Sequence, residues 1–372
     1  MLHVLLVFGT RPEAIKLSPL VRQLQLDRRF RVSVCVTAQH RHLLDQVLDV
    51  FHIVPDFDLD LMTPGQSLTA TSARILAALD PVLCETKPDL VLVQGDTMTT
   101  LYGALAAFQA RVPVGHVEAG LRTYNFDHPF PEEMNRVLTT RLATLHFAAT
   151  EGAAQVLRNE NIPEDRITVT GNTGIDAALY VRDALAGDRI ISKLSLPLDP
   201  DKKLILVTAH RRESFGAGFE EICAAIAELA GRDDVEIVFP VHPNPHVQDP
   251  VNRWLRGRRS IHLIEPLAYI EFLDLMRRAY LILTDSGGIQ EEAPSFGKPV
   301  LVLRDRTERP EAVDAGTAEL TGNSDRRRIV AAAARLLDDA AEYQRRSAVH
   351  NPYGDGAASA RICSAILSFF KQ

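Results

Sequence analysis

Three acidic residues stand where strands are predicted to end or helices to begin. Asp96 follows the apolar run "LVLVQG", Glu118 follows "VPVGHV", and Glu132 lies in "HPFPEEMNR". Carboxylates that share one site repel each other's charge, so one of them holds a proton more tightly. A cluster of this kind could supply a general acid or a general base.

Two of these acids also have an ordinary structural interpretation. Asp96 could cap the helix predicted over "TMTTLYGALAAF", because short acidic side chains accept hydrogen bonds from helix N-termini. Glu132 could complement a helix dipole and pair with Arg136 four residues on. Glu118 has no such role, since an acid that ends a buried strand is costly without a partner.

A histidine is the fourth candidate for proton transfer. His210 ends the apolar run "KLILVTAH" and is followed by Arg211 and Arg212. Histidine changes its charge near neutral pH, which suits it to general acid–base work. Its position at a strand end beside two cations favours function over a structural role.

The first strand leads into a turn that could bind an anion. Gly9 and Thr10 form this turn in "VFGTRPEAIKLSPLV", and Pro12 suits the first helical turn. Arg11 and Lys16 lie near the helix N-terminus, where backbone N–H groups attract phosphates and carboxylates. An ordinary surface turn is the alternative, and the two cations favour the anion site.

A second turn of this type lies in "TDSGGIQEEAPSFGKPV". Its strand–turn–helix context argues against a protease nucleophile at Ser286, which would need an all-β fold with disulfides. Ser286, Gly287 and Gly288 instead let backbone N–H groups approach phosphate oxygens. We expect Glu291 to lie in the first helical turn and to complement its dipole. The downstream arginines could pair with the same anion or form a solvated charged run: Arg304, Arg306 and Arg309.

Other cofactor and metal signatures are missing from the sequence. His242 and His246 are four residues apart, but the prolines of "VHPNPHV" argue against a helical metal site. The first βα turn lacks GxGxxG, and the chain has no Walker A motif. We therefore expect no metal and no nicotinamide cofactor.

The elements that must position these residues follow a regular order. Apolar runs alternate with helical patterns, which predicts parallel βαβ units. The eleven predicted strands are "HVLLVF", "RVSVCVTA", "DLVLVQG", "VPVGHVE", "LHFAAT", "ITVTG", "KLILVTAH", "VEIVFPVH", "IHLIEP", "YLILTDSG" and "KPVLVLR". Their near-continuous Val, Ile and Leu content is typical of sheets covered by helices on both faces. The sequence therefore predicts two doubly wound α/β domains that face a cleft.

A polar, proline-containing segment, "AGDRIISKLSLPLDPDKK", separates the two series of strands. We expect an N-terminal domain over 1–185 and a C-terminal domain over 186–354. The last residues, 355–372, have helical spacing of apolar side chains, and we expect them to pack back on the first domain.

Composition excludes several classes of protein. The 372 residues carry a net charge of −7, with 46% hydrophobic and 24% charged residues. This balance indicates a globular protein and does not support nucleic-acid or membrane-surface binding. The N-terminal residues predict a buried strand rather than a signal peptide. Four scattered cysteines in apolar patterns predict buried, reduced thiols and a cytoplasmic location.

Taken together, the motifs resemble the bacterial non-hydrolysing UDP-N-acetylglucosamine 2-epimerases. The resemblance runs from about residue 3 to past residue 320, with the motifs of both domains in the family's order: "VFGTRPEAIKLSPLV", "TAQHRHLLDQVL", "QGDTMTT", "GHVEAGLRTYN", "FPEEMNR", "VTGNTGIDA", "TAHRRESFG", "PVHPNP" and "TDSGGIQEEAPSFGKPVLVLRDRTERPEAV". It implies a GT-B fold of two Rossmann-like domains, with the nucleotide held mainly by the second. It also implies interconversion of UDP-N-acetylglucosamine and UDP-N-acetylmannosamine with no metal or organic cofactor, and we expect a homodimer.

The resemblance implies a catalytic role for four residues. Asp96, Glu118 and Glu132 match the family's catalytic carboxylates, and His210 matches the histidine beside the departing and returning diphosphate. Elimination of UDP would give 2-acetamidoglucal, and re-addition would give the other C2 configuration. Our hypothesis for the base is Asp96 with Glu118 or Glu132.

Substrate binding is implied for eight further residues. Arg11 and Lys16 match cations near the diphosphate and the sugar. The diphosphate cradle matches Ser286, Gly287 and Gly288. Glu292 matches the carboxylate that takes the ribose hydroxyls, Arg309 a phosphate contact, and Phe272 the position where uracil packs.

Some bacterial members also bind a second UDP-N-acetylglucosamine as an activator. Gln39 and His242 fall near that region by motif, whereas "LMTPGQSL" lacks an arginine that some regulated members carry. Three alternative functions stay open at this point: a hydrolysing epimerase that releases N-acetylmannosamine and UDP, a GT-B glycosyltransferase, and a non-catalytic nucleotide-sugar-binding protein.

Overall fold

Strands and helices alternate along the chain in the computed structural model, which describes residues 1–38, 41–61 and 65–371. Thirteen strands lie in these residues: β1 (Leu2–Phe8), β2 (Phe30–Val36), β3 (Phe57–Asp58), β4 (Leu90–Gln94), β5 (Val114–Ala119), β6 (Leu145–Ala148), β7 (Ile167–Val169), β8 (Lys203–Thr208), β9 (Val235–Pro240), β10 (Ile261–Ile264), β11 (Leu281–Thr284), β12 (Val300–Val302) and β13 (Ala318–Leu320).

The same residues form fifteen α-helices: α1 (Arg11–Leu26), α2 (Arg41–Phe51), α3 (Leu68–Thr86), α4 (Met98–Gln109), α5 (Glu132–Leu142), α6 (Glu151–Asn159), α7 (Thr173–Ala186), α8 (Ala217–Leu229), α9 (Pro245–Leu255), α10 (Tyr269–Arg278), α11 (Gly287–Glu292), α12 (Pro310–Asp314), α13 (Arg326–Asp338), α14 (Ala340–Ser347) and α15 (Ala358–Phe369). Short 3₁₀ helices lie at Glu164–Arg166, Arg212–Ser214 and Ala293–Phe296. None of the described helices is both long and apolar enough to span a membrane.

The strands form two parallel sheets, as predicted. The first has the order β3-β2-β1-β4-β5-β6-β7 and the second the order β10-β9-β8-β11-β12-β13. Every described strand pair is parallel. The central strands are buried along nearly their whole length, because helices cover both faces of each sheet.

Each sheet reverses its strand order once. In the first sheet the reversal lies between β1 and β4, and in the second between β8 and β11. Ligands of open α/β sheets bind outside the carboxyl ends of the strands at such a switch point. Residues that follow these four strands are therefore the ones the fold places at a binding position.

Contacts divide the chain into two units. The first consists of Met1–Ala177 with Gly354–Gln372, and the second of Ala178–Tyr353. The boundary expected near residue 186 lies at the end of α7, whereas the contacts divide that helix between residues 177 and 178. Within the first unit, α15 packs against α1.

All eleven predicted strands are confirmed, and two strands were missed. β3 has two residues and β13 has three, and both contain an acid, Asp58 and Glu319. Runs this short and this polar give no apolar pattern to detect. The prediction of buried cysteines is wrong for Cys84, which is exposed near the end of α3, and right for the other three.

Candidate active site

The carboxyl end of β4 places Asp96 on a fixed turn. Gly95 has φ of +75°, and its carbonyl lies 2.7 Å from Nε2 of His116. Burial lowers the pKa of His116 to about 3, so the ring is neutral and donates to this carbonyl. The N-cap of α4 is Thr97, whose hydroxyl accepts from the Thr100 N–H at 3.1 Å. The interpretation of Asp96 as the cap is therefore wrong.

The Asp96 carboxylate instead faces charged neighbours. Its Oδ2 lies 2.6 Å from Nη2 of Arg136 on α5. Burial raises the pKa of Asp96; Arg136 and Lys16 oppose that rise, and the charges of Glu118 and Glu132 reinforce it. The three candidate carboxylates therefore interact, and Asp96 holds its proton more tightly than an ordinary aspartate.

Glu118 sits on an irregular strand end. The pairing of β5 with β6 shifts register between Val117 and Ala119, and Glu118 has φ of +65°. A non-glycine residue in this region stores about 1–3 kcal/mol of strain, and such residues cluster at functional sites. Its carboxylate pairs with the Lys16 ammonium and accepts a hydrogen bond from the Gln94 amide. An acid that ends a buried strand was expected to need a partner, and Lys16 and Gln94 both fill that role for Glu118.

The two acids at the start of α5 differ in what they do. Glu133 is fully buried and accepts backbone N–H groups from Thr123 at 3.0 Å and Tyr124 at 2.8 Å. It also lies 3.4 Å from Arg136. Arg136 pairs with Asp96 and Glu133 in the described chain, so the expected Glu132–Arg136 pair is wrong. Glu132, at the first position of α5, is half-buried beside Asp96.

The turn after β1 is held in place by a buried acid, Glu13. Thr10 caps α1 and forms a capping box with Glu13. The Glu13 carboxylate is buried and accepts from Thr10 N at 2.7 Å, from Gly9 N at 3.1 Å and from the Thr97 hydroxyl at 2.7 Å. It ties the turn after β1 to the turn after β4, on both sides of the switch point. Arg11 is thereby fixed at the first position of α1.

In the second unit His210 follows β8. Its ring stacks on His242, with centroids 5.2 Å apart and planes inclined by 9°. Its backbone N–H and that of Arg211 both donate to Asp285, which follows the neighbouring strand β11. Burial lowers the pKa of His210, and the charge of Asp285 opposes that effect.

The Ser-Gly-Gly turn follows β11 and opens α11. Ser286 is the N-cap residue, and Gly287 and Gly288 begin the helix. A Cβ on Gly287 would lie 3.7 Å from the Arg309 guanidinium, while one on Gly288 would meet nothing within 4 Å. The turn therefore presents an open glycine surface with Arg309 beside it, which is suited to an anion.

The expected place of Glu291 is wrong. α11 has six residues, with no acid in its first turn, and Glu291 and Glu292 lie at its end. Glu291 is buried and pairs with Arg309. Its role is to hold that guanidinium rather than to complement the dipole of a helix start.

Helix α10 lies near Glu292. The Tyr269 hydroxyl is buried, and burial followed by the nearby charge of Glu292 raises the pKa of Tyr269 well above its ordinary value. Phe272 is half-buried one turn further along α10. The residues that the resemblance assigns to uracil and ribose therefore belong to neighbouring elements of one unit.

Three further positions were singled out from the sequence: Gln39, His242 and Arg304. Gln39 lies outside the described residues. His242 stacks on the His210 ring. Arg304 is buried and lies 2.7 Å from Glu308 and 3.0 Å from Glu213, so it is neither a solvated cation nor open to a ligand.

Four residues of these sites were missed by sequence reasoning: Glu13, Gln94, Arg136 and Asp285. Glu13 carried a detectable signal, since Thr10 and Glu13 match the capping-box spacing. Gln94 is a polar residue that ends a buried strand and Asp285 directly follows one, which is the same signal that singled out Glu118. Arg136 was considered only as a partner for Glu132.

Comparison with known proteins gives a consistent result. The profile of the family described as "UDP-N-acetylglucosamine 2-epimerase" matches residues 22–367. The UDP-N-acetylglucosamine 2-epimerase of Escherichia coli strain K12 is 59% identical over 370 residues, covering 98% of each chain.

Solved structures match both sheets of the chain. A Neisseria meningitidis UDP-GlcNAc 2-epimerase bound to UDP-GlcNAc is 47% identical, with a TM-score of 0.88 over 99% of this chain and 100% of that chain. The Methanocaldococcus jannaschii enzyme in complex with UDP-GlcNAc and UDP is 34% identical, with a TM-score of 0.73 over 99% and 100%. These likenesses confirm the predicted GT-B fold class.

Proposed function

The chain belongs to the UDP-N-acetylglucosamine 2-epimerase family, and we propose that it interconverts UDP-N-acetylglucosamine and UDP-N-acetylmannosamine without net hydrolysis. The observation that carries the proposal is the group of Asp96, Glu118 and Glu132. Their charges interact, and burial raises the pKa of Asp96. A carboxylate with raised proton affinity is a stronger base than an ordinary aspartate.

The chemistry requires more than proton removal. The C2 hydrogen of the sugar is not next to a carbonyl group, so a carbanion there would have no stabilisation. Loss of the diphosphate from C1 solves this problem: the base takes the C2 proton, the C–H electron pair forms the C1–C2 double bond, and the C1–O pair leaves with UDP. The product of this anti elimination is 2-acetamidoglucal.

Return to a UDP-sugar completes the epimerisation. A diphosphate oxygen adds to C1. C2 receives a proton on the face opposite to the one that lost its proton, which is the face that carries the diphosphate, so the addition is syn. We assign Asp96 to proton transfer on one face and Glu118 or Glu132 to the other. Positive charge that develops at C1 during bond cleavage is stabilised by nearby carboxylates.

We assign binding of the UDP part of the substrate to the second unit. Backbone N–H groups of Gly287 and Gly288, together with the Ser286 hydroxyl, would hold the diphosphate, with the Arg309 guanidinium beside them. The Ser286 N–H is used within the turn, where it donates to the Thr284 hydroxyl at 3.0 Å. Glu292 would accept the ribose hydroxyls, and Phe272 would pack on uracil. His210 would donate a proton to the leaving diphosphate oxygen and take it back on return.

The cations of the first unit fit the same scheme. Arg11 is placed at a helix N-terminus for the sugar or diphosphate. Lys16 pairs with Glu118, so we assign it to orienting that carboxylate as well as to the substrate.

Product analysis tests the proposal. The purified protein is incubated with UDP-N-acetylglucosamine and followed by phosphorus NMR. We expect a constant mixture of two UDP-sugars. Steady accumulation of free UDP would instead identify a hydrolysing epimerase. Unchanged substrate would indicate that the protein binds the nucleotide sugar without catalysis.

A further inference from the structure

Asp285 is a buried acid that the proposed chemistry leaves without a role. It follows β11 directly, and its side chain is fully buried. Its backbone N–H donates to the Thr208 carbonyl at 3.1 Å, which places it against the carboxyl end of β8. Burial of a carboxylate at a strand end is costly, so its contacts must compensate for that cost.

One carboxylate oxygen holds the segment that carries His210. Oδ2 accepts the backbone N–H of His210 and that of Arg211, both at 2.7 Å. The same segment is held further along, where Glu213 lies 3.0 Å from Arg304 and the Ser214 hydroxyl lies 3.2 Å from Nδ2 of Asn323. These contacts fix the backbone of the segment from His210 to Ser214.

The other oxygen faces the imidazole. Oδ1 of Asp285 is buried without a hydrogen-bond partner among the described residues, and it lies 3.7 Å from Nδ1 of His210. A buried carboxylate oxygen without a donor is strongly unfavourable. The Nδ1–H group of His210 is the donor that a small ring rotation would bring to it.

We propose that Asp285 is a positioning residue that holds His210 as the Nδ1–H tautomer, with Nε2 presented to the substrate. This inference rests on the proposed function, in which His210 exchanges a proton with a diphosphate oxygen. An imidazole fixed in this way can give the proton from Nε2 and take it back at the same atom. Asp285 stabilises the charged, doubly protonated ring that is present before Nε2 gives its proton and again after Nε2 takes the proton back.

The charges around His210 agree with this assignment. Burial lowers the pKa of His210, and His242 and Arg211 lower it as well. Of the groups that act on His210 in the described chain, Asp285 alone opposes them. Removal of the Asp285 charge is therefore expected to leave the ring neutral over a wider pH range.

Nitrogen-15 NMR of the histidine side chains in the unliganded protein is the first test. The chain has 12 histidines, and the signals of His210 are identified by their loss in His210→Gln. We expect its neutral form to carry the proton on Nδ1. A neutral form protonated on Nε2 would overturn the proposal. This readout needs no turnover, so it stands apart from the question of whether the chain is an epimerase.

The second test is the variant Asp285→Asn, with Glu236→Gln as the matched control. Glu236 is also buried, accepts a backbone N–H from Asp199 at 2.7 Å and lies 2.7 Å from a histidine, His262. We expect Asp285→Asn to move the His210 titration about one pH unit lower, and Glu236→Gln to leave it in place.

Kinetics of Asp285→Asn distinguish a residue that positions His210 from one that only stabilises the fold. In Asp285→Asn the alkaline limb of the kcat profile should move to lower pH with little change in KM. A native titration and tautomer of His210 in folded Asp285→Asn would overturn the proposal. If this variant does not fold, the tautomer measured in the native chain decides the question.

Discussion

Lys16 of α1 pairs with Glu118, the residue at the bulged end of β5 whose backbone has φ of +65°. The Gln94 amide holds the second carboxylate oxygen. The strained backbone aims the side chain, and two donors from neighbouring elements fix its end. A carboxylate held in this way needs no rearrangement when it acts, which is the general advantage of a preorganised site.

Gln94 should matter for turnover because its amide holds one oxygen of the Glu118 carboxylate. Gln94→Leu approximately keeps the side-chain volume but removes the donor to Glu118, so the carboxylate loses the hydrogen bond that holds one of its oxygens. We expect kcat to fall by about 10- to 100-fold, since a small displacement of a catalytic group is costly. Steady-state kinetics measure this effect. Gln109→Leu, at the exposed end of α4, should retain native kcat, and equal activity of both variants would contradict the role of Gln94.

The sequence showed which strand ends carry acids but not which atoms they meet. Asp96, Glu118 and Glu132 were chosen because short apolar runs precede them or a helix starts at them, and these patterns are local. The contact between Arg136 and Asp96 joins residues 40 positions apart, so no local pattern reveals it. The same limit hid Asp285, whose carboxylate accepts from His210 and Arg211, about 75 residues earlier in the chain.

The exact start of a helix is the second feature that the sequence did not reveal. Glu291 was placed in a first turn because the glycines before it look like a loop. The helix in fact begins at Gly287 and gives way to a 3₁₀ turn at Ala293. Glycine is a poor helix former, so only the surrounding structure fixes such a start.

The pH dependence of the reaction tests the raised pKa of Asp96. A base must be ionised, so kcat/KM should rise with pH through a value above the ordinary aspartate range. Arg136 opposes the rise in the pKa of Asp96, and Arg136→Gln should therefore move this acidic limb about one pH unit higher. The alkaline limb should not move. An acidic limb that is unchanged, or displaced to lower pH, would disagree with the assignment of the base.

Stability should depend on Glu13. Its buried carboxylate accepts from Gly9, Thr10 and Thr97, and Glu13→Ala would leave these donors without their acceptor. We expect the free energy of unfolding to fall by about 2–5 kcal/mol, measured by urea denaturation. Glu151→Ala removes an exposed acid from the first turn of α6 and should cost less than about 1 kcal/mol. Similar losses in the two variants would contradict the importance of the buried acid.

UDP affinity should depend on Arg309. Its guanidinium lies beside Gly287 and is held by Glu291. Arg309→Met should weaken UDP binding about tenfold or more, because a charge-assisted contact to phosphate is lost. Calorimetric titration with UDP measures the change. Arg335→Met, which breaks a surface pair with Glu319, provides the comparison, and native UDP affinity in Arg309→Met would remove this residue from the site.

Hydrogen exchange at C2 of the sugar reports whether the protein removes the C2 proton during epimerisation. UDP-N-acetylglucosamine is incubated with the protein in deuterium oxide, and proton and phosphorus NMR follow C2 and the diphosphate together. We predict deuterium at C2 of both UDP-sugars without accumulation of free UDP, a loss of this exchange by about 100-fold or more in Asp96→Asn, and native exchange in the surface variant Asp80→Asn. Epimerised product that retains the original hydrogen at C2, or native exchange in Asp96→Asn, would contradict the account.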